Sequence, residues 1–536
     1  MNRRSFLKLQ TLWFLGPVFF ACNIKNRKIP CVLRSSNSRL GHKLRLNEPV
    51  STIAAIEKVS TVIVGGGIAG LSAAYHLVQQ GITDFILLDP EKEMGGNSCS
   101  GRNQYSSYPL GAHYLPIPSL ENHYLIEFLH KAGVIDSFND KGVPFYKEEY
   151  LCQSPQERLL VNHFWQDGMI PDKGLTTHEK QEMVDFFILM SDYQSMKTSE
   201  GEFCFQLPIR NSHFDDSLLA LDKVTFKQWL IEQRFTSLPI TWYLNYCMRD
   251  DYGIDCDEIS ALIAIHYFAA RRSVSANEGI NSVLTWPEGN HFLARKMMAY
   301  LPKQALRNEH ICLTLDKYDT DTYQLQCFDA KSNRNYNIIS RQVILATPQF
   351  VNAYLFKGSK LNINKPFVPE YTPWVVATLI VEEQFLESEE KIHWDNVWMS
   401  SKGLGYIYAQ HQYLEQVRGP RVLTWYMPLP GLNGKKAREF FQSRSLDYWR
   451  EFILTDLSLA HSTIRKYVRH IEVQQWGHAM PKPIPGNYSK MKEFQLSTVE
   501  QIYFAHSDIT GLSLFEEAFE QGRLAALQVQ KSIPYG

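Results

Sequence analysis

The chain has 536 residues, 44% hydrophobic and 21% charged, enough to bury a large core in roughly two to four domains. With 55 basic against 56 acidic residues the formal charge is −1, so bulk charge points to no nucleic acid and leaves small molecules as the expected partners. Nine cysteines are scattered without a Cys-x-x-Cys pair, so neither a metal site nor a redox dithiol is expected.

At the N-terminus, Asn2-Arg3-Arg4-Ser5-Phe6-Leu7-Lys8 precedes an apolar run over residues 12–22 that is too short to span a bilayer comfortably. The pattern of two arginines, one variable residue and Phe-Leu-Lys resembles a twin-arginine export signal. An uncleaved anchor is the alternative. The resemblance implies the twin-arginine export machinery as a partner and a periplasmic or other extracytoplasmic destination, by a route that carries folded proteins. Phe19-Phe20-Ala21-Cys22 ends the run as a lipoprotein signal would, although Phe19 stands where a small aliphatic residue is usual, so lipid anchoring through Cys22 stays open. Residues 23–56, with Lys25, Arg27, Lys28, Arg34, Arg39, Lys43 and Arg45 and no sustained periodicity, read as a linker.

Residues 62–64 form a buried strand by pattern, residues 65–70 a glycine turn, 71–78 a helix stopped by Gly81, and 85–89 a second strand. Strand, helix, strand at this length is a parallel unit with a right-handed crossover. Residues 175–275 read as mainly helical, with apolar clusters over 183–190, 226–231 and 259–268. Short strands follow at 311–315, 323–328, 337–339 and 342–346, then 374–381 and 421–426, and a helix over 435–459.

A dinucleotide brings its pyrophosphate against backbone N–H groups at a helix start, where side chains would block the approach. Gly65, Gly67 and Gly70 supply that spacing, with Ile68 and Ala69 opening the helix. Asp89 ends the second strand, placed to accept from an adenosine ribose. A second cluster, Met94-Gly95-Gly96-Asn97-Ser98, favours FAD over NAD, a flexible surface loop being the alternative. Far down the chain, residues 505–523 carry a matching signal around Asp508 and Phe515.

Four segments, the Gly65 turn with Asp89, the Gly95-Gly96 pair, Val343-Ile344-Leu345-Ala346-Thr347-Pro348, and residues 508–526, together resemble the flavin amine oxidase superfamily, which includes monoamine and polyamine oxidases and related desaturases. The resemblance implies an α/β fold: a discontinuous Rossmann-like FAD-binding domain from residues 57–135, 280–350 and 470–530, with an α+β substrate domain from 136–279 and 351–469. It implies that Gly95, Gly96, Asn97 and Ser98 meet the cofactor, that Asp508 bonds its ribityl or phosphate region, and that Ile311 offers backbone to the adenine. The backbone N–H of Phe515 would aim the last helix's positive end at flavin N1 and the C2 carbonyl. Asn97 stands where many members have arginine, so Arg102 is expected to face the pyrophosphate. Thr378 stands where many have a lysine near flavin N5, which weakens the case for amine chemistry, and no cysteine near Asp508 could tether the flavin, so FAD is expected to be non-covalent.

On the substrate side, Gly111-Ala112-His113-Tyr114 and Trp476-Gly477-His478 give His113 and His478 as candidate catalytic residues and Tyr114 and Trp476 as substrate walls. Each histidine reads equally as a hydrogen-bonded structural residue. The absence of a second GxGxxG unit argues against a nicotinamide partner, leaving dioxygen or a quinone to reoxidise the flavin. Three readings follow: an amine oxidase, for which acidic cavity residues would speak; a desaturase or oxidase of an isoprenoid or ring C–H substrate, for which a wide apolar cavity would; and a nucleotide-binding protein without turnover.

Overall fold

The computed structural model describes residues 28–34, 37–46, 53–277, 279, 282–357, 359, 361, 367–387, 392–413, 418–431, 433–495 and 500–533. The twin-arginine segment and Cys22 lie outside the described residues.

Among the described residues two large sheets organise the fold, one of seven strands and one of eight. In the first, strand Ile53–Val64 lies between Phe85–Asp89 and Arg334–Leu345, parallel to both. Ile502–Phe504 joins Arg334–Leu345 in the same direction, while Tyr323–Asp329 and His310–Lys317 fold back antiparallel. Every residue of Phe85–Asp89 is buried, as expected where helices cover both faces of a parallel sheet. Helix Ile68–Gln79 packs along the final helix Phe515–Ser532. The two backbones approach so closely at Gly522 that a Cβ there would run into the Ala69 carbonyl and lie 2.7 Å from Ala73 N.

The second sheet runs Cys31–Leu33, Val468–Pro481, Tyr371–Val381, Arg421–Pro428, Tyr406–Tyr408, Asp395–Trp398, Glu157–Val161, Phe164–Asp167. A helical layer, including Thr177–Ser195, Phe226–Glu232, Leu238–Tyr252 and Ala261–Ala269, buries its own aromatic-rich core. Capping boxes start two of these helices, at Thr176 with Glu179 and at Thr225 with Gln228. No helix among the described residues is long and apolar enough to cross a membrane.

Four boundaries differ from the sequence reading. The expected linker over 23–56 contains a strand, Cys31–Leu33, parallel to residues 471–473, and two short helices, Ser38–Gly41 and Lys43–Leu46. Leu40 anchors this stretch against Ile311 and Phe328 with Leu44 packed beside them, so two apolar residues in a basic context suffice to fold it down. Val468–Pro481, expected in the cofactor domain, is the second strand of the other sheet and only its far end reaches the cofactor cavity. Arg334–Leu345 is one continuous strand rather than two, because Ser340 keeps its pairing with Val59. The expected helix over 435–459 is two, Gly434–Ser443 and Leu446–Ala460, since the Ser445 side chain accepts from Tyr448 N–H and caps a fresh start.

Candidate active site

The chain turns sharply after Val64. Gly65 has φ +105°, a conformation that L side chains rarely adopt, and a Cβ there would sit 2.6 Å from the Ala346 carbonyl oxygen. Gly66 N–H donates to Asp89 Oδ2 at 2.7 Å, and Glu91 N–H to Oδ1 at 2.8 Å, so the Asp89 carboxylate ties the turn to the neighbouring strand. Burial pushes the Asp89 carboxyl up to about 7 against the pull of those two donors. Gly95 N–H bonds the Gly66 carbonyl at 2.8 Å, and with φ +140° at Gly95 and +57° at Gly96 the second glycine run lies directly beside the first. Gly70 closes the turn from below: a Cβ there would collide with the Gly65 carbonyl, so its part is in packing rather than in lining.

These glycines floor a cavity of 460 Å³ at the carboxyl ends of the parallel strands. Gly65, Gly67, Ile68, Ala69, Asp89, Gly95, Gly96, Asn97, Ser98, Ile311, Phe515 and His478 all line it. Besides Gly70, two expected cofactor residues do not. Arg102 ends strand Ser100–Arg102, where the alternation buries Gly101 and leaves the arginine exposed, away from the cavity. Asp508 stands behind the wall formed by His506 and Ser507. Its Oδ2 accepts from Gln349 N–H at 2.7 Å and Tyr371 O–H at 2.5 Å, and Oδ1 lies 2.9 Å from His506 Nδ1. Burial raises its carboxyl, but His506, Tyr371 and Gln349 outweigh burial and hold it below the ordinary value. Asp508 is thus a brace for the loop after Arg334–Leu345 and for strand Tyr371–Val381.

An inner cavity of 120 Å³ opens from the first, sharing Asn97, Ala112, Ala479, Ser513, Leu514 and Phe515 with it. The start of helix Phe515–Ser532 therefore faces the junction of the two. The expected substrate residues His113, Tyr114 and Trp476 meet here, whereas His478 lies on the outer cavity, stacked 4.1 Å from Phe350. His113 packs 5.1 Å from both Tyr114 and Tyr426, and burial lowers it to about 4, which keeps the imidazole neutral near pH 7. His478 is lowered further, to about 3, by burial and then by the charges of Arg438, Arg45 and His42. Trp476 Nε1 donates to the Leu110 carbonyl at 2.6 Å, while Trp374 and Tyr426 stand nearly parallel at 6.3 Å. Thr378 lines neither cavity; on its strand Tyr371 lines the outer one and Trp374 and Val376 the inner.

The sequence reading missed the polar end of this cavity, where Asp250, Asp251 and Glu516 face a single guanidinium, Arg271. Tyr114 O–H donates to Asp250 Oδ2 at 3.1 Å, and Arg271 Nη1 donates to Glu516 Oε1 at 2.7 Å. Burial raises both aspartates; the charge of Asp251 raises Asp250 further, and Arg271 opposes the rise at Asp251. Behind them Tyr246 O–H reaches Asp395 Oδ2 at 3.4 Å, and Asp395 is raised by burial and by Asp250. Lining residues that carry polar atoms with no hydrogen-bond partner among the described residues include Asn290, at Oδ1, and Trp374, at Nε1. A signal for the dyad was present: Asp250 and Asp251 occupy the last turn of helix Leu238–Tyr252, where the helix dipole disfavours carboxylates.

The outer cavity fits a flavin dinucleotide. A Cβ added at Gly67 would meet only Gly96 Cα, at 4.0 Å, so it would project into the space that two glycine runs keep clear. Among the described lining residues the one cysteine is Cys312, beside Ile311 and not in the stretch shared with the inner cavity. A parallel dinucleotide fold with its cofactor cavity opening onto a small buried chamber defines a redox enzyme of the flavin type.

Comparison with known proteins gives the same class. Residues 68–530 match the family described as flavin containing amine oxidoreductase, and the chain belongs to that family. It is an FAD-dependent, amine-oxidase-like oxidoreductase, with the cofactor bound non-covalently as is typical of the family. In structure it is similar to an engineered putrescine oxidase, with TM-score 0.64 and 15% identity over 89% of this chain and 100% of that one. It is also similar to cyclohexylamine oxidase from Brevibacterium oxydans, with TM-score 0.63 and 13% identity over 88% of this chain and 99% of that one. A 90-residue stretch is 36% identical to part of a Baeyer-Villiger monooxygenase from Penicillium patulum, covering 16% of this chain and 14% of that protein.

Proposed function

We propose that the enzyme oxidises an organic amine that binds as its cation, with dioxygen or a quinone as the final electron acceptor. The observation that carries this reading is the inner cavity itself: three carboxylates against one guanidinium, walled by Trp374, Tyr426 and Trp476. An ammonium is favoured there by charge and by the aromatic faces. A volume of 120 Å³ with an acidic end suits a small cation better than an isoprenoid or ring substrate.

The chain's own groups prepare the substrate. Asp250, raised by burial and by Asp251, can take the ammonium proton at Oδ1 and leave a neutral amine. Neutral His113 and the indole of Trp476, fixed through Leu110, hold that amine without competing for its proton. When bound, FAD supplies the two-electron acceptor for hydride from the carbon beside the nitrogen. The buried walls exclude water from the product.

The test is a matched pair of substrates. Turnover of short primary amines and diamines, with no turnover of the isosteric alcohols, supports the reading; equal turnover of both, or of neither, overturns it. We further propose export through the twin-arginine route, which Arg3→Lys with Arg4→Lys would block, leaving precursor in the cytoplasm.

A further inference from the structure

Residues 37–46 cross the mouth of the cofactor cavity. At one end, Asn37 N–H donates to Glu91 Oε1 at 3.2 Å and Asn37 Nδ2 to the Pro90 carbonyl at 2.8 Å, fixing the segment just past strand Phe85–Asp89. At the other end, helix Lys43–Leu46 packs on helix Gln349–Leu355, with the Arg45 guanidinium 6.0 Å from the Tyr354 ring centre. Between them Leu40 is buried against Ile311 and Phe328, and Lys43 Nζ lies 4.4 Å from the Phe328 ring centre. Phe85–Asp89, Ile53–Val64 and Arg334–Leu345 are neighbours in the sheet, and the two ends of the segment are held by residues that follow the outer two of these strands. Ser38, Gly41, His42, Leu44 and Arg45 all face the cavity.

Charge makes this placement consequential. The pyrophosphate of FAD is a dianion, and its removal from water must be compensated by donors or cations. The glycine turn offers N–H groups, but the carboxyl groups beside it, Asp89 and Glu91, bring no positive charge. Among the described residues lining the cavity, Arg45 is the sole lysine or arginine, and no ion pair involving it is found among the described residues. Arg102 is exposed elsewhere and Asn97 is neutral.

We infer that residues 37–46 form an outer arm of the FAD site and that Arg45 supplies the positive charge facing the cofactor's pyrophosphate. The inference rests on the FAD assignment and adds to it a cation site in a segment that sequence pattern reads as linker. The Arg45 and His42 side chains are both exposed, so their replacement removes no buried packing.

The experiment measures equilibrium binding of FAD and of riboflavin, which lacks both phosphates, to the deflavinated full chain at low and high salt. The proteins are wild type, Arg45→Gln, the double variant His42→Asn with Arg45→Gln, and Arg102→Gln, each checked by its melting curve. Arg45→Gln is expected to weaken FAD by about tenfold or more, to flatten the salt dependence, and to leave riboflavin affinity unchanged. Arg102→Gln is expected to match wild type in all three. Unchanged FAD affinity and salt dependence in the double variant would overturn the inference, as would equal weakening of FAD and riboflavin, which marks a steric cover rather than a charge. Failure of wild type to bind FAD at all would remove the cofactor assignment beneath it, a distinguishable result.

Discussion

Replacing Asp250 with Asn keeps the shape of a side chain lining the inner cavity and removes one of its three carboxylate charges. The amide oxygen can still accept from Tyr114 O–H, which lies 3.1 Å from Asp250 Oδ2, so the perturbation is the charge alone. A hydrogen bond to a charged group is worth about 1.5–3 kcal/mol. At 1.4 kcal/mol per factor of ten, KM for a cationic amine should rise by ~10–100-fold. The pH dependence has a definite sign. Burial and Asp251 hold the Asp250 carboxyl above its ordinary value, so acid discharges it and weakens the hold on an ammonium. Wild-type kcat/KM therefore climbs as pH rises through that raised pKa, and Asp250→Asn flattens the climb. Stability runs the other way. A carboxyl whose folded pKa is raised contributes stability that is complete at low pH and lost as pH rises through the folded pKa. The Asn variant should melt with wild type in acid and above it at alkaline pH. Steady-state amine oxidation against pH, paired with thermal melts, reads both effects. An unchanged KM with an unchanged pH slope would refute the reasoning.

Gly67→Val should yield a colourless protein with a near wild-type apo melting temperature, because the new side chain enters the cavity rather than the packed chain; flavin absorbance and a melting curve check this. Asp508→Asn loosens the brace to Tyr371 and Gln349 and should cost about 1–3 kcal/mol at neutral pH. Because the Asp508 carboxyl is held below its ordinary value, its stabilisation is present above the unfolded pKa and lost as pH falls through the folded one, so denaturant melts of variant and wild type should converge in acid. Gly522→Ala drives a methyl into the Ala69 carbonyl where helices Ile68–Gln79 and Phe515–Ser532 pack together, and should lower stability by about 1–3 kcal/mol in chemical denaturation.

The cofactor half of the molecule was legible because it is local. Strand, glycine turn, helix and Asp89 fall within a few dozen residues, and the constraints on each, left-handed backbone at Gly65 and Gly95 and helix contact at Gly70, show in the residue type itself. The substrate half was legible only in part. His113, Tyr114 and Trp476 sit near recognisable segments, but the carboxylates opposite them come from the end of Leu238–Tyr252 and the start of Phe515–Ser532, some 270 residues apart in sequence. Only the tertiary fold brings them together. Residues 37–46 were unreadable for another reason: their basic composition suggests solvent, while the burial of Leu40 depends on Ile311 and Phe328 far downstream. Asp508 was found as an important acid, yet whether it meets the cofactor or the wall behind it is decided by Tyr371 O–H and Gln349 N–H, which sequence spacing does not reveal.

The most direct test of the central claim is the visible spectrum of the purified full-length protein under anaerobic titration with a short primary amine. A yellow protein whose flavin band bleaches with amine, and whose cofactor is released by heat as FAD, is the expected result. A protein that stays colourless after incubation with FAD, or a bound flavin that no amine reduces while a neutral C–H substrate does, would contradict it.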